Sequence, residues 1–168
     1  MRRLSPLERH AKRLGQLLGT LQMIEMEARL AIVTHDGQEV GHVRAQLPTV
    51  SVGDSVELNA LTNPDGIGKT LVQYNQRVPP QWRVDVEQIV SIRDALGHGR
   101  VFALGPVRPD AILRLMKFSQ AVSDGMVTVT MSIDMTEAWF DETIAFLRDA
   151  LEKVRQALEW LKAEADSR

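Results

Sequence analysis

Apolar positions in the first part of the chain recur with helical spacing. Leu14, Leu17, Leu18, Leu21, Ile24, Ala28, Ala31 and Ile32 fall mostly three or four residues apart. At 3.6 residues per turn this lines one face. Ser5-Pro6-Leu7-Glu8 precedes them as a capping box with proline at the first helical position. The serine hydroxyl can satisfy an early N–H while the glutamate reaches back. Asp36-Gly37 closes the run, predicting a helix of about 30 residues. That is long for a globular protein and demands partners along its length.

The period is then lost. Val40, Val43, Leu47, Val50, Val52, Val56, Leu58 and Leu61 are apolar without regular spacing, and Pro48 and Gly53 interrupt them. A short helix over Asp54–Leu61 and an irregular extended stretch both fit. Asn63-Pro64-Asp65 predicts a capped helix start. Ile67, Leu71, Tyr74 and Val78 give that helix its face, and Pro79-Pro80 ends it and can open the next. A third helix is predicted from Trp82 to Leu96, with Val86, Ile89, Val90, Arg93 and Leu96 or Gly97 on one face. Gly97-His98-Gly99 should stop it by adopting left-handed backbone.

A two-residue period follows. Val101–Leu104, bounded by Gly105-Pro106, and Ala111–Phe118 are strand candidates. Val127, Val129, Met131 and Ile133 alternate with polar residues after a turn at Ser123-Asp124-Gly125. Phe140, Ile144, Leu147, Leu151, Val154, Leu158 and Leu161 then form a heptad seam, capped by Asp134 or Thr136. Arg148–Glu152 and Asp149–Lys153 have (i, i+4) spacing on its outer face. The expected fold class is mainly α (α+β): an antiparallel helical bundle with a small antiparallel β-meander inserted at about 100–134, before the last long helix. One domain over residues 1–168 is expected.

Composition narrows the chemistry. Hydrophobic residues at 44% and charged residues at 25% exclude wholesale disorder. Cysteine is absent, which removes disulfides, thiolate metal sites and a thiol nucleophile. A reducing, cytoplasmic location is the expectation. The basic start at Met1-Arg2-Arg3 lacks the apolar run of an export signal, since Glu8, Arg9, His10, Lys12 and Arg13 follow. No stretch approaches a spanning helix, so no membrane is expected among the partners. The net charge of -2 means that any nucleic acid must be held by a local patch. Arg2, Arg3, Arg9, Lys12 and Arg13 supply one, with Arg9 and Arg13 four apart on the exposed side of the first helix.

Other constellations are incomplete. Gly66-Ile67-Gly68-Lys69-Thr70 has Asn63 where a phosphate loop needs its first glycine. His35 and His42 lack a ligand set, and no two histidines have (i, i+4) spacing, so neither metal nor cofactor is expected. No Gly-x-Ser-x-Gly elbow occurs. Trp82, Trp139 and Trp160 read as packing residues. Arg93 remains, on the face of Val86 and Ile89, where a charge must be paired or open onto a site. Glu25 is one candidate partner.

The phrase Val90-Ser91-Ile92-Arg93-Asp94-Ala95-Leu96-Gly97-His98-Gly99-Arg100 resembles the HEPN superfamily of α-helical ribonucleases and nucleotide-binding domains. Its pattern is arginine, asparagine or aspartate, then histidine followed by glycine or alanine near a helix end. The family tolerates four to six residues between arginine and histidine, and Arg3…His10 and Arg29…His35 meet that spacing too. Asp94, Gly97 and Gly99, and the helix end, set Arg93…His98 apart. The resemblance implies a HEPN-like helical bundle, a homodimer with motifs facing across a two-fold axis, and metal-independent endoribonuclease activity of a toxin- or defence-related kind. It implies Arg93, His98 and Asp94 as catalytic residues, with Arg100, Arg9 and Arg13 binding RNA. RNA or a nucleotide, and an antitoxin-like protein, are the partners that follow. The alternative is a non-catalytic HEPN-like module for dimerisation or nucleotide and partner binding. Residues five apart on an ideal helix diverge by about 140°, so Gly97 should end the helix to let His98 turn back.

Overall fold

The structure, a computed structural model, describes residues 5–38, 49–104, 112–120 and 125–167. Arg2, Arg3, His42, Pro48, the Gly105-Pro106 boundary and Ser123-Asp124 lie outside them. The described residues contain four α-helices and one three-stranded antiparallel sheet. In chain order these are α1 (Pro6–His35), α2 (Ile67–Arg77), a 3₁₀ turn (Pro80–Trp82), α3 (Val86–His98), β1 (Arg100–Ala103), β2 (Leu113–Phe118), β3 (Val129–Asp134) and α4 (Glu137–Asp166). No helix among the described residues is long and apolar enough to cross a membrane.

The capping box forms as expected. Ser5 N–H donates to Glu8 Oε2 at 2.6 Å, and Glu8 N–H donates to Ser5 Oγ at 3.2 Å. Hydrogen bonding from the Ser5 backbone first, and from its side chain second, holds the Glu8 carboxyl below its ordinary range. At the far end Gly37 takes φ +70°, a left-handed conformation that glycine adopts without strain. Thr136 caps α4 by accepting from Trp139 N–H at 3.1 Å.

Two compact units make up the chain. The first comprises the described residues of Met1–Leu21 and Gln88–Arg148. Leu17, Leu21, Ile89, Ala95, Leu115, Met135, Phe140 and Leu147 are buried in it. Its sheet has the order β1-β2-β3, pairing Val101 with Leu115 and Leu115 with Ile133 on one face. The second unit comprises the described residues of Gln22–Glu87 and Asp149–Arg168. Ile24, Ala28, Val33, Leu71, Tyr74 and Val154 are all buried in it. There Glu27 of α1 faces Arg155 of α4 at 3.8 Å, and Thr34 and His35 line a crevice with Trp160, Leu161 and Ala165. Within this unit α1 and α4 therefore run side by side in the same direction. Short loops force helix neighbours to be antiparallel; the long connection between these two does not.

Local starts and stops differ from expectation where side chains intervene. Residues 50–66 are irregular chain with turns at 52–53 and 60–62, and the helix considered for Asp54–Leu61 is absent. Ser51 N–H donates to Asp54 Oδ2 at 2.8 Å, and the Thr62 hydroxyl to the Glu57 carbonyl at 2.6 Å, which fixes turns instead. α2 begins at Ile67, because Asn63 Oδ1 accepts from Asp65 N–H and from Arg29 rather than capping a helix. α3 begins at Val86 rather than Trp82. The Trp82 carbonyl accepts from the Tyr74 hydroxyl at 3.0 Å, and Asn75 exchanges two hydrogen bonds with the Val84 backbone. Those bonds hold the link before α3 extended.

Candidate functional site

α3 ends at His98, two residues before β1. The expected stop at Gly97 does not occur. Gly99 N–H donates to the Ala95 carbonyl at 2.8 Å, which carries helical bonding past His98, and neither Gly97 nor Gly99 has positive φ. Gly99 serves a different need. A Cβ there would lie 2.6 Å from Leu115 Cδ1 and also strike the Ala95 carbonyl. Only a residue without a side chain lets the end of α3 close onto β2.

Arg93, Asp94 and His98 converge at this end without any break in the helix. Arg93 Nη1 donates to Asp94 Oδ1 at 3.0 Å and to His98 Nε2 at 3.3 Å. The second bond needs a lone pair on Nε2, so the imidazole in this arrangement carries its proton on Nδ1. Lys117 Nζ lies 3.6 Å from Asp94 Oδ2, tying β2 to α3. Its place was legible in the two-residue period of Leu113, Leu115 and Lys117, which puts all three on the helix side of the sheet. Arg93 does not sit in the core, despite sharing a predicted stripe with Ile89. Its side chain is 46% exposed, and its partner is Asp94, while Glu25 bonds Arg29 at 2.9 Å. His98 is exposed as well. The cluster is therefore open to a ligand.

The three RNA-binding candidates separate. Arg9 is exposed and lines a groove of about 360 Å³ with Lys12, Arg13, Gln16, Asp141 and Arg148. Arg13 is engaged within it. It bridges Glu137 at 2.5 Å and Asp141 at 2.8 Å and stands 5.5 Å from the centre of the Phe140 ring. Arg13 thus joins α1 to α4 and has little left for a phosphate, while Arg148 supplies a cation that the heptad reading had left on a solvated face. Arg100 is exposed on β1, its guanidinium 5.7 Å from the centre of the Phe118 ring.

The remaining motifs resolve as structure. Arg29 is 7% exposed and donates to Glu25, the Ala60 carbonyl, Asn63 and the Asp65 carbonyl. His35 bonds Asp36 at 2.9 Å, so Arg29…His35 forms no site. Lys69 pairs with Asp65 at 3.3 Å and Thr70 is buried, with its hydroxyl on the Gly66 carbonyl. Trp82 packs on Trp160 at 5.1 Å and Trp139 on Phe140 at 4.9 Å. Among the described residues no three histidine or carboxylate side chains gather as a metal site would need.

Compared with protein-family models, curated proteins and solved structures, the chain finds no match.

Proposed function

We propose that the protein is a HEPN-like endoribonuclease that cleaves RNA through the ribose 2′-OH, acts in the cytoplasm in a toxin- or defence-like setting, and works as a homodimer. The observation that carries this reading is the 3.3 Å bond from Arg93 to His98 Nε2 at an exposed helix end. A phosphate arriving at Arg93 offers a charge-assisted, bidentate partner, stronger than a neutral imidazole nitrogen. Drawing the guanidinium onto the phosphate releases the Nε2 lone pair. His98 then takes the 2′-OH proton as the oxygen attacks the adjacent phosphorus. The P–O bond to the 5′-oxygen breaks, and that oxygen takes the proton held on His98. The products are a 2′,3′-cyclic phosphate and a 5′-hydroxyl. Arg93 offsets the charge that builds on the phosphoryl oxygens. Asp94 is a positioning residue that aims Arg93. Arg9, Lys12 and Arg148 at the basic groove suit a flanking backbone. The nucleophile comes from the substrate.

Incubation with RNA in EDTA tests this, beside His98→Ala. The expected result is a ladder ending in cyclic phosphate that is lost in the variant. Equal cleavage by both proteins, or by neither, overturns the reading.

One observation favours the second reading, a non-catalytic module. Arg93, Asp94 and Lys117 already form a ladder joining α3 to β2, which is what a structural role requires. Under it, Arg93→Ala lowers the melting temperature or dissociates the dimer, and RNA is left intact by the wild type.

A further inference from the structure

The face of the sheet turned away from Leu115 carries an unusual set of side chains. Strand alternation places Arg100 and Phe102 of β1 with Arg114, Met116 and Phe118 of β2 on that face. Arg114 is held by Asp134 of β3, through bonds of 2.5 and 3.1 Å that keep the Asp134 carboxyl below its ordinary range. The Phe102 and Phe118 rings meet edge to face, centroids 6.2 Å apart at 82°. Arg100 covers Phe118, and no carboxylate pairs with Arg100 among the described residues. Phe102 remains 41% exposed. An aromatic ring fixed in orientation by a perpendicular neighbour, yet open to solvent, gains nothing from that exposure in the isolated chain.

We infer that this face is a stacking platform for one unpaired nucleobase of a single-stranded RNA, with Phe102 as the ring that receives it. Phe118 sets the tilt of Phe102, and Arg100 meets the phosphate next to the stacked base. The choice of ligand rests on the ribonuclease reading, but the geometry has its own reasons. An apolar protein partner laid on this face would bury the Arg100 guanidinium without a counter-charge, which is costly. A nucleotide brings both a π-face for the ring and a phosphate for the cation. Arg100 is the second residue after His98, and β1 is an edge strand of the sheet. The sequence hid this site because Val101–Leu104 reads as a plain apolar run. The register with β2 is what sets Phe102 beside Arg100.

Fluorescence anisotropy with a labelled single-stranded 2′-O-methyl oligonucleotide tests the inference, because that strand cannot be cut. Stacking on an aromatic side chain typically contributes enough for alanine substitution to weaken binding about five-fold or more. Phe102→Leu keeps the apolar bulk and removes the π-face, so it should show a weakening of that order with an unchanged melting temperature. Phe102→Tyr should bind as the wild type does. Arg100→Ala should weaken binding and flatten its salt dependence. A protein that binds the blocked strand through Phe102 but never cuts RNA supports the platform and refutes only the ribonuclease. Wild-type affinity in Phe102→Leu overturns the platform even if cleavage is intact. So does a Phe102→Leu variant that changes from dimer to monomer and keeps its affinity, because a second copy would then be the occupant.

Discussion

Replacing Gly99 by alanine puts a methyl group where the end of α3 meets β2. The new Cβ would stand 2.6 Å from Leu115 Cδ1 and 3.1 Å from Leu115 Cγ, with the Ala95 carbonyl closer still. Leu115 is buried at 2% exposure, so its side chain can turn only by displacing neighbours. The carbonyl has less freedom, because it accepts the Gly99 N–H at 2.8 Å. Overpacking of this kind costs about 1–3 kcal/mol, and losing the hydrogen bond adds about 1 kcal/mol. In a chain of this length each kcal/mol shifts the melting temperature by roughly 2–4 °C. Gly99→Ala should therefore melt several degrees below the wild type. Gly97, two residues earlier, gives the opposite sign. It lies within α3 without positive φ, and a Cβ there meets nothing within 4 Å. Alanine is favoured over glycine inside a helix by about 1 kcal/mol, so Gly97→Ala should melt a few degrees higher. Thermal denaturation of the two variants beside the wild type, followed by circular dichroism, is the assay. If Gly99→Ala melts with the wild type, or Gly97→Ala falls further than Gly99→Ala, the account of this junction is wrong.

Two more outcomes follow from the second unit. Arg29→Met should lower the urea midpoint by an amount equivalent to about 3 kcal/mol or more, since it strands Glu25 and several carbonyls where a buried guanidinium had joined them; a loss below about 1 kcal/mol would contradict that role. Asp36 is held below its ordinary value chiefly by hydrogen bonds from Arg77, at 2.9 and 3.0 Å, with His35 also lowering it. A depressed carboxyl contributes stability above its unfolded pKa and loses it as pH falls through the folded value. Asp36→Asn should thus melt below the wild type at pH 7, with the gap narrowing as pH falls below the ordinary aspartate value of about 3.9; a gap that does not narrow would refute the pairing.

What was legible in the sequence was what periodicity and caps control. The capping box at Ser5–Glu8, the stop at Gly37, the three strands and the seam from Phe140 to Leu161 all appear in place. Each is decided by neighbours within a few residues. The boundaries that moved are those set at a distance. Asn63 is claimed by Arg29 of α1, and Trp82 and Val84 are claimed by Tyr74 and Asn75 of α2. The direction of α4 beside α1 belongs with them. It depends on how a long connection folds, and no local pattern records that.

The candidate site shows the same division inside one helix. Four residues advance about 400°, so Arg93 lies some 40° beyond Ile89 rather than directly above it. Ile89 is fully buried and Arg93 is half exposed. A long side chain at the edge of an apolar stripe keeps its stem against the stripe and carries its charge outward. Divergence of about 140° between Arg93 and His98 is a statement about backbone directions. It does not bound how far a guanidinium can reach, and here the reach closes to 3.3 Å with the helix intact. The spacing is therefore suited to arginine in particular. Lysine at position 93 would keep the charge but lose the planar fork that serves Asp94 and His98 from one nitrogen while leaving others for a ligand. Gly97, which the pattern had made a hinge, is not needed for this convergence. Gly99 serves the packing of the helix end instead, because a side chain there would strike Leu115 and the Ala95 carbonyl.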